Sequence, residues 1–449
     1  MRSIRNYLFG SVFRQGATLL TVLTLASYGI GLVRDVLFAR FLGAGRLLDI
    51  YNAAFVIPDV LLNVFVAGAL TAAFVPVFTH LMTQGDREQA EELAGTMLRA
   101  APLTMGVVAG IAFLFMPFLA SLVAPGFTTE DLTLLIRMSR LLLLSPILFA
   151  ISNTLGGLLV SLERFFGYGL SPLLYNLGII GGVFFIEPFG PLGLAVGVVI
   201  GALLHLAVRF VALMRSGFRP STKWNLKDRN FRQVIILMVP RMAGQPIEQL
   251  TFFLFTALAS SLATGSITIL NFARNFQSVP VSVFGIAFAT AAFSSLSRKA
   301  ALGDRKGLVG IIRETGTPLL AITAASALFY ILAGRFVVDL LLGGGEFGPD
   351  AVRATARLLA VFAIAIPAES FMHILVRSFY ALKDTWTPVL VRVPGIGFIY
   401  LLAVSLMPTM GLNALGLSYV IAITTEALVL GLLLRAKLRR LPNQALQQG

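Results

Sequence analysis

The chain has 449 residues, of which 57% are hydrophobic and 12% are charged, and its formal net charge is +14. Soluble domains carry about 25% charged residues, so the composition excludes an ordinary soluble domain and indicates a membrane protein. The sequence has no cysteine, which excludes disulfides, thiolate metal sites and cysteine nucleophiles. Its three histidines form no HExxH motif, which argues against a zinc enzyme.

Twelve apolar runs follow one another along the chain, and a run of roughly 18–25 residues can cross a hydrocarbon core about 30 Å thick. Backbone polar groups in lipid must be satisfied within the segment, so each run is predicted to be a helix. The predicted fold class is an all-α polytopic membrane protein of about twelve transmembrane helices, in two six-helix halves with a central cavity. No cleaved signal peptide is expected. The predicted spans are 17–42, 48–80, 93–123, 131–162, 166–186, 190–214, 232–262, 266–297, 310–343, 352–381, 387–407 and 411–435.

The loops between these spans alternate in charge, with the exception of Arg46 in the first outward loop. Lysine and arginine are concentrated in 215–232, 298–313 and 435–440, whereas 124–131 and 344–350 carry only acidic charges. Because positive loops stay in the cytoplasm, we expect a multi-pass membrane protein with both termini in the cytoplasm. A basic face that meets anionic lipid also accounts for the net charge, so the predicted partner is the phospholipid bilayer and not nucleic acid.

The longest polar segment falls near the middle of the chain and suggests a division into halves. Ser-Pro at 171–172 and Thr-Pro at 387–388 open corresponding spans, as in a weak internal repeat. Repeats of this kind are common in transporters, with the binding site between them. The predicted domains are an N-terminal six-helix half at 1–214, a basic cytoplasmic linker at 215–231, a C-terminal six-helix half at 232–435 and a cytoplasmic tail at 436–449.

Several predicted spans contain charged side chains. A charge at the bilayer centre costs about 2.5–3.5 kcal/mol on insertion scales, so each one needs a partner, a wet cavity or a function. An excess of arginine is suited to a phosphate-bearing substrate, since guanidinium binds phosphate through paired hydrogen bonds. The charged residues taken as candidates, within or at the ends of spans, are Arg34, Asp35, Arg40, Asp49, Asp59, Arg241, Glu248, Arg274, Glu369, His373 and Arg377.

For the first two spans, structural and functional interpretations both stand. Arg34 and Asp35 are adjacent and point about 100° apart on a helix, so we expect them not to pair with each other. Arg34 either forms a salt bridge with Asp49 or Asp59 that fixes helix packing, or binds a ligand. Arg40 lies near a span end, where its side chain can extend to the lipid headgroups.

The later spans offer candidates for coupling or gating. Arg241 and Glu248 share a face two turns apart and form either a structural pair or a gate. Glu369 and His373 are four residues apart, which suits either a hydrogen-bonded pair or a proton or ion site. Prolines and glycines interrupt spans two and seven, and such kinks either permit bending or are static. The interrupting residues are Pro58, Gly68, Pro76, Pro240, Gly244 and Pro246.

Three stretches resemble a known family of transporters. Residues 31–78 contain GLVRDVLFARFLGAGRLLD and later FVPVF; residues 240–298 begin PRMAGQPIEQL; and LLGGGEFGPDAVRATARLL at 341–359 precedes RSFYALKDTWTP at 377–388. Together they resemble the MurJ (MviN) family of the multidrug/oligosaccharidyl-lipid/polysaccharide exporter superfamily. The resemblance implies a flippase that moves a polyprenyl-pyrophosphate-linked cell-wall precursor, with lipid II favoured, across the cytoplasmic membrane by alternating access.

The resemblance also implies which residues bind the substrate. Arg34 and Asp35 match the essential pair of the first helix, and Asp49 matches the aspartate after the turn. Arg274 approximates the arginine of the eighth helix but is shifted by one residue when Pro280 is the anchor, which leaves Asn275 in register. It implies a transporter without catalytic residues, metal or cofactor, in which Na⁺, H⁺ or the membrane potential supplies coupling. The implied partners are a lipid-linked glycan and cell-wall synthesis proteins.

Some positions depart from the family pattern. Tyr28, Leu62 and Asn63 stand where the family often has arginine, and Phe255 stands where it has an acid linked to sodium binding. The family's two further C-terminal helices have no counterpart among the predicted spans. Two alternatives therefore stay open: a flippase for another lipid-linked glycan, and a non-transporting membrane scaffold.

Overall fold

A computed structural model describes residues 2–64, 69–244 and 246–440. For residues 2–15, 17, 69–72, 240, 241, 243, 244 and 246–248 it describes the backbone alone. The regular structure in these ranges is helical, apart from an isolated bridge between Gly344 and Phe347.

The helices follow the predicted order of the spans. The first eleven are α1 (Arg2–Leu42), α2 (Arg46–Ala54), α3 (Val56–Leu62), α4 (Ala69–Gln84), α5 (Arg87–Leu114), α6 (Met116–Val123), α7 (Thr129–Leu142), α8 (Leu144–Ser161), α9 (Phe165–Gly181), α10 (Ile186–Phe189) and α11 (Gly193–Met214). The remaining nine are α12 (Arg229–Gly244), α13 (Pro246–Ser260), α14 (Ser266–Pro280), α15 (Ala287–Ala301), α16 (Arg305–Leu342), α17 (Pro349–Ala363), α18 (Ile366–Ala381), α19 (Trp386–Met410) and α20 (Asn413–Arg440).

The lengths of these helices suit a membrane protein. Eight helical stretches of the described chain are long and apolar enough to cross a bilayer, and the pair α17–α18, bent by 42°, makes a ninth. One stretch, Phe165–Met214, contains both α9 and α11, so the nine stretches correspond to ten predicted spans. Predicted spans two and seven are the others, and both are broken into shorter helices. The all-α membrane fold is confirmed, and the chain accommodates twelve spans.

The breaks fall at proline and glycine. Pro58 has no N–H to donate to residue 54, and α2 ends at Ala54. The junction of α12 and α13 lies between Gly244 and Pro246. Pro280 precedes a short π-helical segment over Val281–Ile286 that links α14 to α15. Spans two and seven are therefore broken where proline and glycine predict it, whereas the π-helical segment in span eight and the bend between α17 and α18 in span ten were not predicted.

Two helices of the N-terminal part approach each other through glycine. A Cβ atom added at Gly178 of α9 would lie 2.3 Å from the Cα atom of Gly201 in α11. One added at Gly197 would lie 2.3 Å from the Cα atom of Gly182, one turn further along. Small residues at four-residue spacing allow this close backbone contact, which replaces side-chain packing between membrane helices.

The chain forms two compact units. Unit 1 comprises Met1–Phe38 and Leu47–Phe253, and unit 2 comprises Ala39–Arg46 and Leu254–Gly449. The short segment Ala39–Arg46 is bound to the rest of unit 2 by a backbone hydrogen bond, in which the N–H of Glu346 donates to the carbonyl of Arg40 at 2.9 Å. The predicted domain boundaries at 214, 231 and 435 stay a prediction.

The basic segment 215–231 is part of unit 1 and packs against α4 and α5. The N–H of Ser221 donates to the carbonyl of Glu91 in α5 at 2.8 Å, and the Arg99 side chain donates to the carbonyls of Ser221 and Lys223. Phe218 is buried with its ring against Phe78 of α4. Within unit 1, this segment is therefore a packed part of the fold.

Candidate functional site

Arg34 is the centre of a polar cluster in unit 1. Its Nε and Nη2 atoms both donate to Oδ1 of Asp35, at 3.0 and 2.7 Å, and Nη1 donates to Oδ1 of Asn176 in α9 at 3.1 Å. These bonds use three of the five N–H groups of the guanidinium. The other two have no hydrogen-bond partner among the described residues. The cluster therefore holds an oriented arginine that can accept an anionic ligand.

The prediction that Arg34 and Asp35 do not pair is wrong. Their Cα–Cβ bonds do point in different directions, but the three-carbon stem of arginine is long enough to curl around the helix to the neighbouring carboxylate. The salt bridge that Arg34 forms is with Asp35, and not with Asp49 or Asp59. The pairing is local, so α1 carries both charges itself.

The two acids of predicted span two lie in different surroundings. Asp49 is fully buried in the first turn of α2, where a carboxylate is stabilised by the helix N-terminus. Asp59 is exposed in α3, and its backbone carbonyl accepts a bond from Asn63 at 2.9 Å. Asp49 is thus a buried carboxylate that follows directly on the glycine turn.

Arg274 is the centre of a second polar cluster, in unit 2. Its Nη1 donates to Oε1 of Gln277 at 3.2 Å, and its Nη2 lies 4.0 Å from Oε1 of Glu369 in α18. Gln277 in turn donates to Oε2 of Glu369 at 2.7 Å. The guanidinium also lies 4.8 Å above the ring of Tyr419 in α20. The cluster joins α14, α18 and α20.

Aromatic residues support this second cluster. The ring of Phe255 lies 6.3 Å from that of Tyr419, and Phe362 approaches it from another side at 5.7 Å, both edge-on. Phe255 is therefore a buried support of Tyr419 at the position where the resembling family has an acid. Asn275, predicted beside Arg274, is exposed and points elsewhere around α14.

The candidates for coupling or gating are only partly described. Glu369 contacts Gln277 and Arg274, as given above. Arg377 donates to the backbone carbonyl of His373 at 3.4 Å and to the hydroxyl of Thr290 at 3.0 Å, and therefore bonds within unit 2. The side chains of Arg241 and Glu248 lie outside the described part of the structure, so their predicted pairing stays a prediction.

Arg392 and Glu426 form a buried ion pair that our sequence analysis missed. Nη1 of Arg392 in α19 lies 2.7 Å from Oε2 of Glu426 in α20. The other carboxylate oxygen, Oε1, is buried without a hydrogen-bond partner and lies over Gly395, where an added Cβ atom would be 2.0 Å away. The sequence signal that could have identified this pair is the same as for the predicted sites, namely a charged residue within an apolar span.

Arg209 is a second missed residue, in α11 of unit 1. It is only 3% exposed and donates to the carbonyl of Ser152, the amide oxygen of Asn153 and the hydroxyl of Ser171. Its guanidinium lies 4.7 Å from the ring of Tyr168. These bonds join α8, α9 and α11, so Arg209 is a structural anchor.

The chemistry of these clusters is recognition and not bond cleavage. In each unit an arginine from a membrane helix is oriented by a carboxylate and an amide, which suits binding of an anionic group such as a phosphate. Among the described residues there is no group of three or more histidine, aspartate or glutamate side chains able to hold a metal ion.

Comparisons with known proteins agree with this description. The sequence profile of the family described as "Lipid II flippase MurJ" matches residues 38–447. The "Probable lipid II flippase MurJ" of Haemophilus influenzae is 28% identical over 422 residues, which cover 88% of this chain and 79% of that protein. The "Lipid II flippase MurJ" of Burkholderia cenocepacia is 27% identical over 433 residues, covering 93% and 83% respectively.

Solved structures share the fold. "Lipid II flippase MurJ, inward closed conformation" matches with a TM-score of 0.79 and 22% identity, over 93% of this chain and 87% of that one. A structure described as the inward-facing conformation of a multidrug resistance MATE family transporter of the MOP superfamily has a TM-score of 0.76 and 16% identity, over 95% and 98%. The profile match extends over most of the 449 residues, and the chain therefore belongs to the Lipid II flippase MurJ family.

Proposed function

We propose that this chain is a flippase that moves lipid II across the bacterial inner membrane by alternating access. Family membership supports the activity. The observation that carries the site is the geometry of Arg34, which is oriented by Asp35 and Asn176 and keeps two N–H groups for a ligand. The protein is thus a transporter and not an enzyme.

The arginines are the proposed ligands of the pyrophosphate. Guanidinium groups match the geometry of phosphate oxygens and remain charged at any physiological pH. Arg34 presents its two remaining N–H groups, and Arg274 is the second proposed phosphate ligand. Asp35 and Glu369 each compete with the phosphate for an arginine, which limits the affinity. Weak binding is needed for release, because a cargo held too tightly in one state is not transported.

The proposal also covers topology, partners and energy. The protein is multi-pass, and both termini are proposed to face the cytoplasm because loops rich in lysine and arginine are generally retained on that side. Lipid II is the proposed cargo, and cell-wall synthesis proteins are proposed partners. An ion gradient or the membrane potential supplies the energy for net transport, with Glu369 and His373 as the candidate coupling residues.

Depletion and rescue tests this function. The wild-type chain is expressed in a bacterium whose own lipid II flippase is depleted, and membrane insertion is checked by fractionation. The proposal expects growth to be restored. Normal insertion without rescue, together with no lipid II translocation by the purified protein in vesicles, would support the non-transporting scaffold. Translocation of a different lipid-linked glycan in the same vesicles would reassign the cargo.

A further inference from the structure

A cavity in unit 2 lies at the basic end of three membrane helices. It has a volume of about 480 Å³ and lies among α16, α18 and α20, within the range of about 300–1,000 Å³ typical of ligand pockets. Phe371 and Leu375 of α18 contribute to its apolar lining, as do Leu434 and Leu438 of α20. The cavity is therefore a slot with apolar walls near the start of α16 and the end of α20.

Three arginines also line this cavity, and none of its lining residues in the described part of the chain is acidic. They are Arg305 at the start of α16, and Arg435 and Arg439 one turn apart near the end of α20. All three are at least partly exposed. An apolar slot with a cationic rim matches an amphiphile that has an acyl chain and an anionic headgroup. Basic pockets between membrane helices are known to bind anionic lipid headgroups.

The α18 residues that line the cavity are separate from the Arg274 cluster. Phe371 and Leu375 lie on the side of α18 opposite Glu369, because two and six residues correspond to rotations of about 200° and 240°. The cavity is thus a site apart from the proposed cargo ligands, although one helix contributes to both.

The equivalent place in unit 1 is covered by the chain itself. By the order of the repeat, α5, α8 and α11 correspond to α16, α18 and α20. After α11 the chain folds back along α5, and Phe218 is buried in a core that includes residues of α5, α8 and α11. The residues after α20, at 441–449, carry no acidic side chain that could pair with the three arginines. Charge complementarity therefore favours an anionic ligand over this segment.

We propose that the cavity lined by Arg305, Arg435 and Arg439 binds one anionic glycerophospholipid, with its phosphate at the arginines and an acyl chain along Phe371 and Leu375. The site is independent of the identity of the cargo. A neutral phospholipid lacks the net negative charge that the three arginines attract. Inorganic phosphate lacks the chain that the apolar walls bury.

Gly431 makes this proposal directly testable. It lines the cavity, and a Cβ atom added there meets no other atom within 4 Å, so a larger side chain enters the cavity without a backbone clash. Gly431→Leu is therefore expected to fill the slot while the protein stays folded. Gly397 of α19 also faces open space but does not line the cavity, so Gly397→Leu is the matched control.

Binding is measured by native mass spectrometry of the delipidated full-length protein titrated with dioleoyl phosphatidylglycerol. Dioleoyl phosphatidylcholine and inorganic phosphate are the comparison ligands. We expect one tight phosphatidylglycerol site, at least tenfold weaker binding of phosphatidylcholine, and no retention of phosphate. Gly431→Leu is expected to weaken phosphatidylglycerol binding at least tenfold, and Gly397→Leu less than twofold.

A second set of variants, which removes positive charges, tests the proposal even if Gly431→Leu fails to fold. The triple change of Arg305, Arg435 and Arg439 to Gln is expected to weaken phosphatidylglycerol binding at least tenfold. The same change at Lys306, Arg313 and Arg440 removes equal charge outside the cavity, so we expect less than a twofold effect. Equal loss in both triples, or equal binding of the two phospholipids, would overturn the proposal. So would phosphatidylglycerol binding that appears only after truncation following Arg440, because segment 441–449 would then be the occupant.

Discussion

The Arg34–Asp35 pair shows how side-chain length changes an expectation based on helix geometry. Adjacent positions diverge by about 100°, which excludes contact for short side chains. Arginine has a long stem and can bond along its Nε–Nη2 edge, so it reaches Asp35 on the same helix. Nη1 donates to Asn176 as well, which leaves two N–H groups of the guanidinium without a partner among the described residues. Pairing of this kind leaves an arginine oriented and still able to bind an anion.

Arg34→Lys tests whether the fork of N–H groups matters or only the positive charge. Lysine keeps the charge but has a single nitrogen, so it cannot bond Asp35, Asn176 and a phosphate as arginine does. Loss of one charge-assisted bond, about 1.5–3 kcal/mol, predicts lipid II translocation at least tenfold slower in reconstituted vesicles. Arg313→Lys, at an exposed position of α16, is the control. If Arg34→Lys translocated lipid II as fast as the wild type, the positive charge alone would be required and the prediction would be wrong.

Gln277 is predicted to hold the second cluster together. It is wholly buried and bonds both Arg274 and Glu369. Gln277→Met keeps a similar shape and leaves both charges one partner short, which is expected to cost about 1–3 kcal/mol in the free energy of unfolding. Ser278→Ala, which removes a bond only to the carbonyl of Asn275, is the neighbouring control. Equal denaturation midpoints for the two variants would contradict the described network.

At the scale of elements, the contact between α9 and α11 depends on glycine. Gly178→Ala places a methyl group 2.3 Å from the Cα atom of Gly201, so the helices must separate. Overpacking of this kind costs about 1–3 kcal/mol, and we expect a lower melting temperature in detergent. Gly181→Ala, in the same helix, meets open space and is expected to be neutral or slightly stabilising. Two equal melting temperatures would show that the helices are not in close contact.

Asp384, in the turn between α18 and α19, predicts that the stability of the fold depends on pH. Burial alone would raise the pKa of Asp384, but hydrogen bonds from Lys437 and Thr387 outweigh it and lower the pKa to about 2. A depressed carboxylate pKa stabilises the fold above the ordinary value of 3.8, and this contribution is lost as the pH falls towards 2.

Asp384→Asn is therefore expected to lower the melting temperature at pH 7, and the deficit should shrink at pH 3. Asp350→Asn is the control, because Asp350 forms an exposed ion pair with Arg353, and exposed pairs contribute little. A deficit for Asp384→Asn that is the same at both pH values would contradict the assignment.

At the scale of the whole molecule, hydropathy and loop charge predicted the membrane class and the order of the spans. The breaks at Pro58 and between Gly244 and Pro246 were predictable because a missing N–H is a local property. Arg209, Arg392 and Glu426 were missed because an apolar run of some 20 residues tolerates one or two charges without losing its character. The packing of 215–231 on α5 was not predictable, since backbone bonds such as that of Ser221 to Glu91 depend on tertiary structure.

The central claim is that this chain moves lipid II by means of an oriented Arg34. The most direct measurement is the translocation of labelled lipid II in vesicles that contain the purified protein, with wild type and Arg34→Ala compared at equal incorporation. We expect transport by the wild type and a rate for Arg34→Ala close to that of protein-free vesicles, with both proteins equally stable. A wild-type rate for Arg34→Ala, or no transport by the wild type, would contradict the claim.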